Sequence, residues 1–380
     1  MTENTQAAVV TQTILQARCL LEAAGNPRVQ TVFFGGGTPS VLKRPALRSL
    51  LDFVSPLGAS EWTIEANPET LDRDFLSLCS DSGVTRLSVG IQALQPRLLT
   101  LLRRRATERD CLNAVDLLRA TWRGDLSLDF IAGIPGQSTA EVVRDLSLVD
   151  ASWPGHASLY QLTTEPGTPL AKLVDCGEIV MNPAEKDEEL WFAGKAALEG
   201  LGYAQYEVSN FARPGKECQH NLRYWKIEPY IGAGPAAVST IPVGAARMLF
   251  GAQPEGAAAR LSNPKNIEMF LRGAPAQWGS EVEMISPRDL LLETLMMGLR
   301  LAAGIETESF YRRFGKGVAE LLPGLWEGWV RKGWAVPIDA GFASRMRLTN
   351  EGLMLLDRLL GDAASRIKTG ALKDLAVTWP

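Results

Sequence analysis

From residue 29 onward the sequence alternates short β-branched runs with longer stretches of helical spacing, and this constrains the fold more than any other feature. Val29–Phe34, Trp62–Ala66, Arg86–Ile91, Leu126–Ile131, Ser158–Thr163 and Gln205–Ser209 read as strands, with room for one helix in each gap. Such repetition predicts a parallel sheet or barrel, with functional residues at the C-terminal ends of its strands. Polar or glycine-rich residues do follow nearly every run: Gly35–Pro39, Glu65-Ala66-Asn67-Pro68, Gln92, Asp129 with Gly133-Ile134-Pro135-Gly136, and Glu165-Pro166-Gly167-Thr168-Pro169. Among them Gly35-Gly36-Gly37 carries the most information, because consecutive residues without Cβ let backbone approach a ligand closely. A tight turn would use the same residues, so the glycines alone leave both readings open.

Between Phe211 and about Ile285 the composition shifts to Gly, Ala, Pro and scattered aromatics with little periodicity, which reads as a linking region. Ser286-Pro287 then caps an apolar helix running to about Ala302. Short helices around Glu306–Phe314 and Val318–Lys332 precede a hairpin of Trp334–Ile338 and Arg345–Leu348 around Asp339-Ala340-Gly341, and a helix Glu351–Leu360 follows. That order resembles a winged helix. The division expected is residues 1–215 for the barrel, 216–285 for the linking region and 286–380 for the winged-helix-like α+β domain.

Residues 305 to 365 hold eight acidic and eight basic side chains, so the phosphate-binding footprint of a DNA-binding winged helix is missing. The whole chain has a formal charge of −4, which gives no reason to bind nucleic acid or an anionic membrane. No apolar run reaches the ~20 residues of a transmembrane helix, and the first sixteen residues lack the pattern of a signal peptide, so a cytoplasmic protein is expected. Cys19, Cys79, Cys111, Cys176 and Cys218 are widely scattered and read as reduced thiols. With His156 and His220 as the two histidines, no self-contained zinc or iron site is expected.

Six ordered segments carry a resemblance: GGGTPS at Gly35–Ser40, EANPETL at Glu65–Leu71, RLSVGIQ at Arg86–Gln92, LDFIAGIPGQS at Leu128–Ser138, LYQLTTEPGTPL at Leu159–Leu170 and YEVSNFARPG at Tyr206–Gly215. Together they resemble the oxygen-independent coproporphyrinogen III oxidase-like branch of the radical S-adenosylmethionine (SAM) family. His220-Asn221-Leu222-Arg223-Tyr224-Trp225 matches the HNxxYW signature of the haem chaperones within that branch. The resemblance implies an α/β fold with a partial (β/α)6 barrel and SAM across its top, held by Gly36, Gly37, Thr38, Glu65, Gln92, Arg104 and Asp129. Close backbone would meet the methionyl amino group, the arginine its carboxylate, and carboxylates or amides the ribose hydroxyls. The plainer readings are that Glu65 caps a turn, Asp129 bonds a loop backbone and Arg104 is one of three solvated arginines, Arg103 to Arg105.

For haem, the resemblance implies His220 as an iron ligand with Tyr224 and Trp225 stacked on the porphyrin, and Cys218 as a second candidate ligand. The alternative is that HNLRYW is a packing corner. The family also implies a 4Fe-4S cluster held by a CxxxCxxC loop after the first barrel strand. Neither that loop nor that strand is present in this sequence, so Val9–Ala24 reads as the helix after the strand. A translation start placed ~30 residues too late and a true loss of the cluster both remain open, the first being favoured. Ala93-Leu94, Arg103 and Val238 depart from the family's usual Ser-Phe, Gly and His. The implied function is a haem chaperone serving respiratory haem proteins, with a homodimer left open. The rivals are a coproporphyrinogen III oxidase and a cluster-free binding protein; no catalytic residue is assigned.

Overall fold

In the computed structural model, which describes residues 2–251, 256–273, 278–338, 344–369, 375 and 377–379, five parallel strands stand where the alternation predicts them. They are β1 Thr31–Phe34, β2 Glu61–Ala66, β3 Arg86–Gln92, β4 Asp125–Ala132 and β5 His156–Gln161, the last beginning two residues earlier than expected. Two short strands complete the sheet, β6 Ala204–Gln205 and β7 Asn210–Ala212, in the order β1-β2-β3-β4-β5-β7-β6. Because β1 and β6 end that order unpaired with each other, the sheet is an open barrel.

The sixth expected strand, Gln205–Ser209, is a correction: most of it is a turn, and β7 runs antiparallel to both β5 and β6. The Tyr206 N–H donates back to the Asn210 carbonyl, and the Glu207 carboxylate accepts the Ser209 N–H. These local bonds close a hairpin where the alternating polar and apolar side chains had read as a strand.

Apart from the bulge at Gln92, side chains alternate across the five parallel strands. One face carries Trp62, Ile64, Leu87, Val89, Leu126, Leu128, Phe130 and Leu159, which pack on Leu47 and Leu51 of helix Arg44–Val54, Phe75 of Arg73–Ser82, Leu118 of Glu108–Thr121 and Leu190 of Ala184–Gly200. The opposite, inner face carries Thr63, Glu65, Arg86, Ser88, Ser127, Asp129, His156 and Ser158. Parallel strands are usually apolar on both faces, so a polar inner face marks a surface that must find partners of its own.

Strands β1–β7 belong to a unit of residues Val29–His220, while Met1–Arg28 group with Asn221–Pro380 in a second unit. In that second unit, helix Glu3–Ala23 packs on helices Val243–Phe250 and Ile267–Arg272, beside a three-stranded antiparallel sheet of β8 Val238–Pro242, β9 Ala258–Ser262 and β10 Glu281–Ile285. Leu20, Ala245 and Ala246 of helix Val243–Phe250, Ile241 of β8, and Ala259 and Leu261 of β9 form one core. The buried Gln16 amide fixes the register by donating to Asn263 and accepting from the Gly234 N–H. The stretch read as a linking region thus contains a sheet with its own core, and the N-terminal helix is part of it.

Farther along, Ser286 caps helix Pro287–Gly298, with its side chain accepting the Asp289 N–H. Helices Thr307–Phe314, Leu325–Arg331 and Leu356–Thr369 enclose Phe310, Phe314, Trp326, Trp329 and Leu359. The expected hairpin has one described rung, Ala335 with Leu348, and its turn at Asp339-Ala340-Gly341 lies outside the described residues. Its second arm also supplies β12 Arg345–Met346, paired antiparallel with β11 Ile305–Glu306. Among the described residues no helix is long and apolar enough to cross a membrane.

Candidate functional site

On the inner face of the strand unit, Asp129 is half-buried on β4 and receives three hydroxyl donors. Ser88 donates to Oδ2 at 2.6 Å, and Ser127 and Ser158 donate to Oδ1 at 2.8 and 2.7 Å. Register explains the convergence, because Asp129 lies opposite Ser158 on β5 and its neighbours Ser88 and Ser127 are paired on β3 and β4. Burial pushes the Asp129 carboxyl upward, and the three hydroxyls pull it back.

Glu65, on β2, is pushed up to about 7 by burial and next by the charge of Asp129, while the Gly36 N–H donated to it opposes the shift. Gly36 needs its glycine, since its φ of +79° lies in the left-handed region. A Cβ on Gly37 would meet no atom within 4 Å, so this backbone is open to an approaching group. Asn67 ties the remaining pieces together. Its Nδ2 donates to the Thr38 hydroxyl at 3.2 Å, and its Oδ1 accepts from Arg104 Nη1 at 3.4 Å. Arg104 is half-buried between the exposed Arg103 and Arg105, and its charge lowers Asp129. Gln92 has a φ of +68° at a bulge and folds its amide over Gly90, where an added Cβ would sit 2.6 Å from Nε2.

The structure therefore gathers Gly36, Thr38, Glu65, Arg104 and Asp129 around one polar face, with Gly37 open beside them and Gln92 over the residue paired with Asp129. Sequence reasoning missed Asn67, Ser88, Ser127, Ser158 and Tyr160. Tyr160 is hydrogen-bonded to Ser158, and burial, then the charge of Asp129, raises its phenol. The available signal was polar residues at every second position of Ser127-Leu128-Asp129 and Ser158-Leu159-Tyr160.

His220 lies elsewhere, at the starts of β1 and β2. Its Nδ1 is 3.0 Å from the Thr31 hydroxyl, and its ring stacks on Phe33 at 5.2 Å between centroids. Glu61, the first residue of β2, accepts the backbone N–H groups of Gln219 and His220 at 3.0 and 2.8 Å and the Cys218 thiol at 3.4 Å. The same carboxylate pairs with Arg86, which is 3% exposed, at 3.3 Å. Tyr224 and Trp225 fall in the second unit, where Tyr224 meets Tyr230 edge-on at 4.5 Å.

The Radical SAM superfamily profile matches residues 13–149, and the HemN C-terminal domain profile matches residues 285–355. The "Heme chaperone HemW" of Escherichia coli (strain K12) is 32% identical over 336 residues, covering 87% of this chain and 83% of the relative. That of Bacillus subtilis (strain 168) is 28% identical over 347 residues, covering 89% of this chain and 86% of the relative. The chain belongs to the HemW family of radical SAM proteins. A mitochondrial "Radical S-adenosyl methionine domain-containing protein 1" from Bos taurus is 33% identical, covering 93% of this chain and 80% of its own. The fold is that of the solved E. coli coproporphyrinogen III oxidase HemN, with a TM-score of 0.73 over 97% of this chain and 84% of that one, at 16% identity.

The family implies SAM, a 4Fe-4S cluster and haem. The inner face fits SAM: two half-buried carboxylates, the charge of Asp129 raising Glu65, beside an open glycine backbone suit a ligand bearing an ammonium and a sulfonium. The residues described here do not fit the cluster. The cysteines form no disulfide, and among the described residues no three His, Cys, Asp or Glu side chains converge as a metal site.

The shift of Glu65 predicts a pH dependence. Its folded value of about 7 exceeds its ordinary 4.5, so the group stabilises the fold fully below 4.5, loses that contribution between 4.5 and 7, and gives none above. Glu65→Gln should therefore raise the melting temperature at pH 8 by a few degrees, with the gain shrinking toward pH 5. An equal gain at both values would show that Glu65 titrates normally.

Proposed function

We propose that the chain binds haem and passes it to respiratory haem proteins, with SAM held on the inner face by Gly36, Gly37, Thr38, Glu65, Gln92, Arg104 and Asp129. Similarity to haem chaperones over most of the chain carries this reading, joined to the HNLRYW signature at His220–Trp225. The acidic inner face supports the SAM part, because a cationic ligand relieves the repulsion between Glu65 and Asp129. Spectrophotometric titration tests the haem part. Saturable binding with a shifted Soret band is expected, and the absence of saturation would overturn the reading in favour of a cluster-free binding protein.

The partners of His220 support its role as a packing corner rather than an axial ligand. Tyr224 and Trp225 remain the proposed porphyrin-stacking groups. His220→Ala should lower stability by about 1–2 kcal/mol, from the lost stack and hydrogen bond, and leave the haem spectrum of the folded protein unchanged. A displaced Soret band in a variant with unaltered melting would restore His220 as the ligand.

A further inference from the structure

We propose that Ser127, His156 and Tyr206 are positioning residues, a one-way line of hydrogen bonds that orients the Asp129 carboxylate from the backbone of Cys218. The proposal rests on the SAM reading of Asp129, and it extends that reading to residues on the far side of the inner face. Four contacts make the line. Ser127 Oγ is 2.8 Å from Asp129 Oδ1, His156 Nδ1 is 2.7 Å from Ser127 Oγ, Tyr206 Oη is 2.9 Å from His156 Nε2, and the Cys218 N–H donates to Tyr206 Oη at 3.3 Å.

Proton counting gives the line its direction. The ionised Asp129 that a cationic ligand calls for only accepts, so the single Ser127 proton goes to it. Ser127 must then accept from His156, which places a proton on Nδ1. Burial, helped by the nearby Arg86 charge, lowers His156 to about 3, so the ring is neutral and carries no second proton. Its Nε2 is therefore an acceptor, and the Tyr206 hydroxyl must donate to it. Burial keeps Tyr206 protonated by raising its phenol, and the Cys218 N–H completes the count by donating to the phenol oxygen. Each group thus uses its one proton toward Asp129, and reversing any link leaves two donors or two acceptors face to face.

Such a line makes the geometry of Asp129 depend on where Cys218 sits. Cys218 adjoins Gln219 and His220, whose N–H groups rest on Glu61, so the start of the HNLRYW signature and the cofactor-side carboxylate share one buried network. Buried polar networks whose members are all satisfied rigidify the groups they join.

The imidazole tautomer is directly measurable, because the chain has two histidines and His220→Ala assigns their spectra. In nitrogen-15 spectra of the histidine-labelled protein, His156 should be protonated at Nδ1 with Nε2 accepting, and Tyr206→Phe should shift the Nε2 resonance. A proton on Nε2 in the parent protein would reverse the line and overturn the proposal. Calorimetry with SAM supplies the functional arm: Tyr206→Phe and Ser127→Ala should each weaken SAM about three- to tenfold, and the double variant should lose no more than the worse single one. Additive losses would show independent packing effects and end the claim. A parent protein that binds no SAM would instead refute the cofactor reading, and the tautomer result would still decide the line.

Discussion

Glu61→Ala is expected to lower the melting temperature of the Val29–His220 unit by on the order of 10 °C, corresponding to about 3–5 kcal/mol for breaking a buried ion pair. Arg86, 3% exposed, would keep its charge and lose its 3.3 Å partner, with Asp125 left at 3.7 Å. The N–H groups of Gln219 and His220 would lose their acceptor in the same step. Removing both charges in Glu61→Ala/Arg86→Ala should cost clearly less than the sum of the single changes, because the double variant strands no charge. Thermal melting of the three variants measures this. An effect of Glu61→Ala within a degree or two would show that the carboxylate is dispensable and that the 218–220 segment is held by other contacts.

Asp129→Asn should weaken SAM by about ten- to hundredfold, the range for losing a hydrogen-bonded charge at a binding site. An amide cannot accept all three hydroxyls, so one of Ser88, Ser127 and Ser158 must turn away. With the like charge gone, Glu65 should fall from about 7 toward its ordinary range. Calorimetry at pH 8 gives the affinity, and carboxyl carbon-13 titration gives the Glu65 shift. A folded variant with unchanged affinity would mean that Asp129 only organises the serines.

The five parallel strands were legible because β-branched runs at regular spacing carry a strong local signal. Gln205–Ser209 misled for the same reason: it alternates like a strand, but the Tyr206 N–H bond to Asn210 turns it into a hairpin loop. The region after Phe211 was unreadable because the core that covers it is rich in Ala245, Ala246 and Ala259, and its partners Gln16 and Leu20 come from the other end of the chain. Acidic residues of the candidate site stood out at strand ends, where a carboxylate needs a reason. A serine within a strand does not, and the three that hold Asp129 matter only through register. For His220 the motif left two readings open, and the residues that distinguish them, Thr31, Phe33 and Glu61, lie some 160 to 190 positions earlier.

Handover of haem is the most direct test of the proposed function. Haem-loaded protein would be mixed with a respiratory haem protein stripped of its haem, and the two separated by size before absorption spectra are recorded. The expected result is a Soret band that leaves the chain and appears with the acceptor's own spectrum, faster than haem released to buffer. Haem that stays on the chain, or that reaches the acceptor no faster than free haem, would contradict a chaperone.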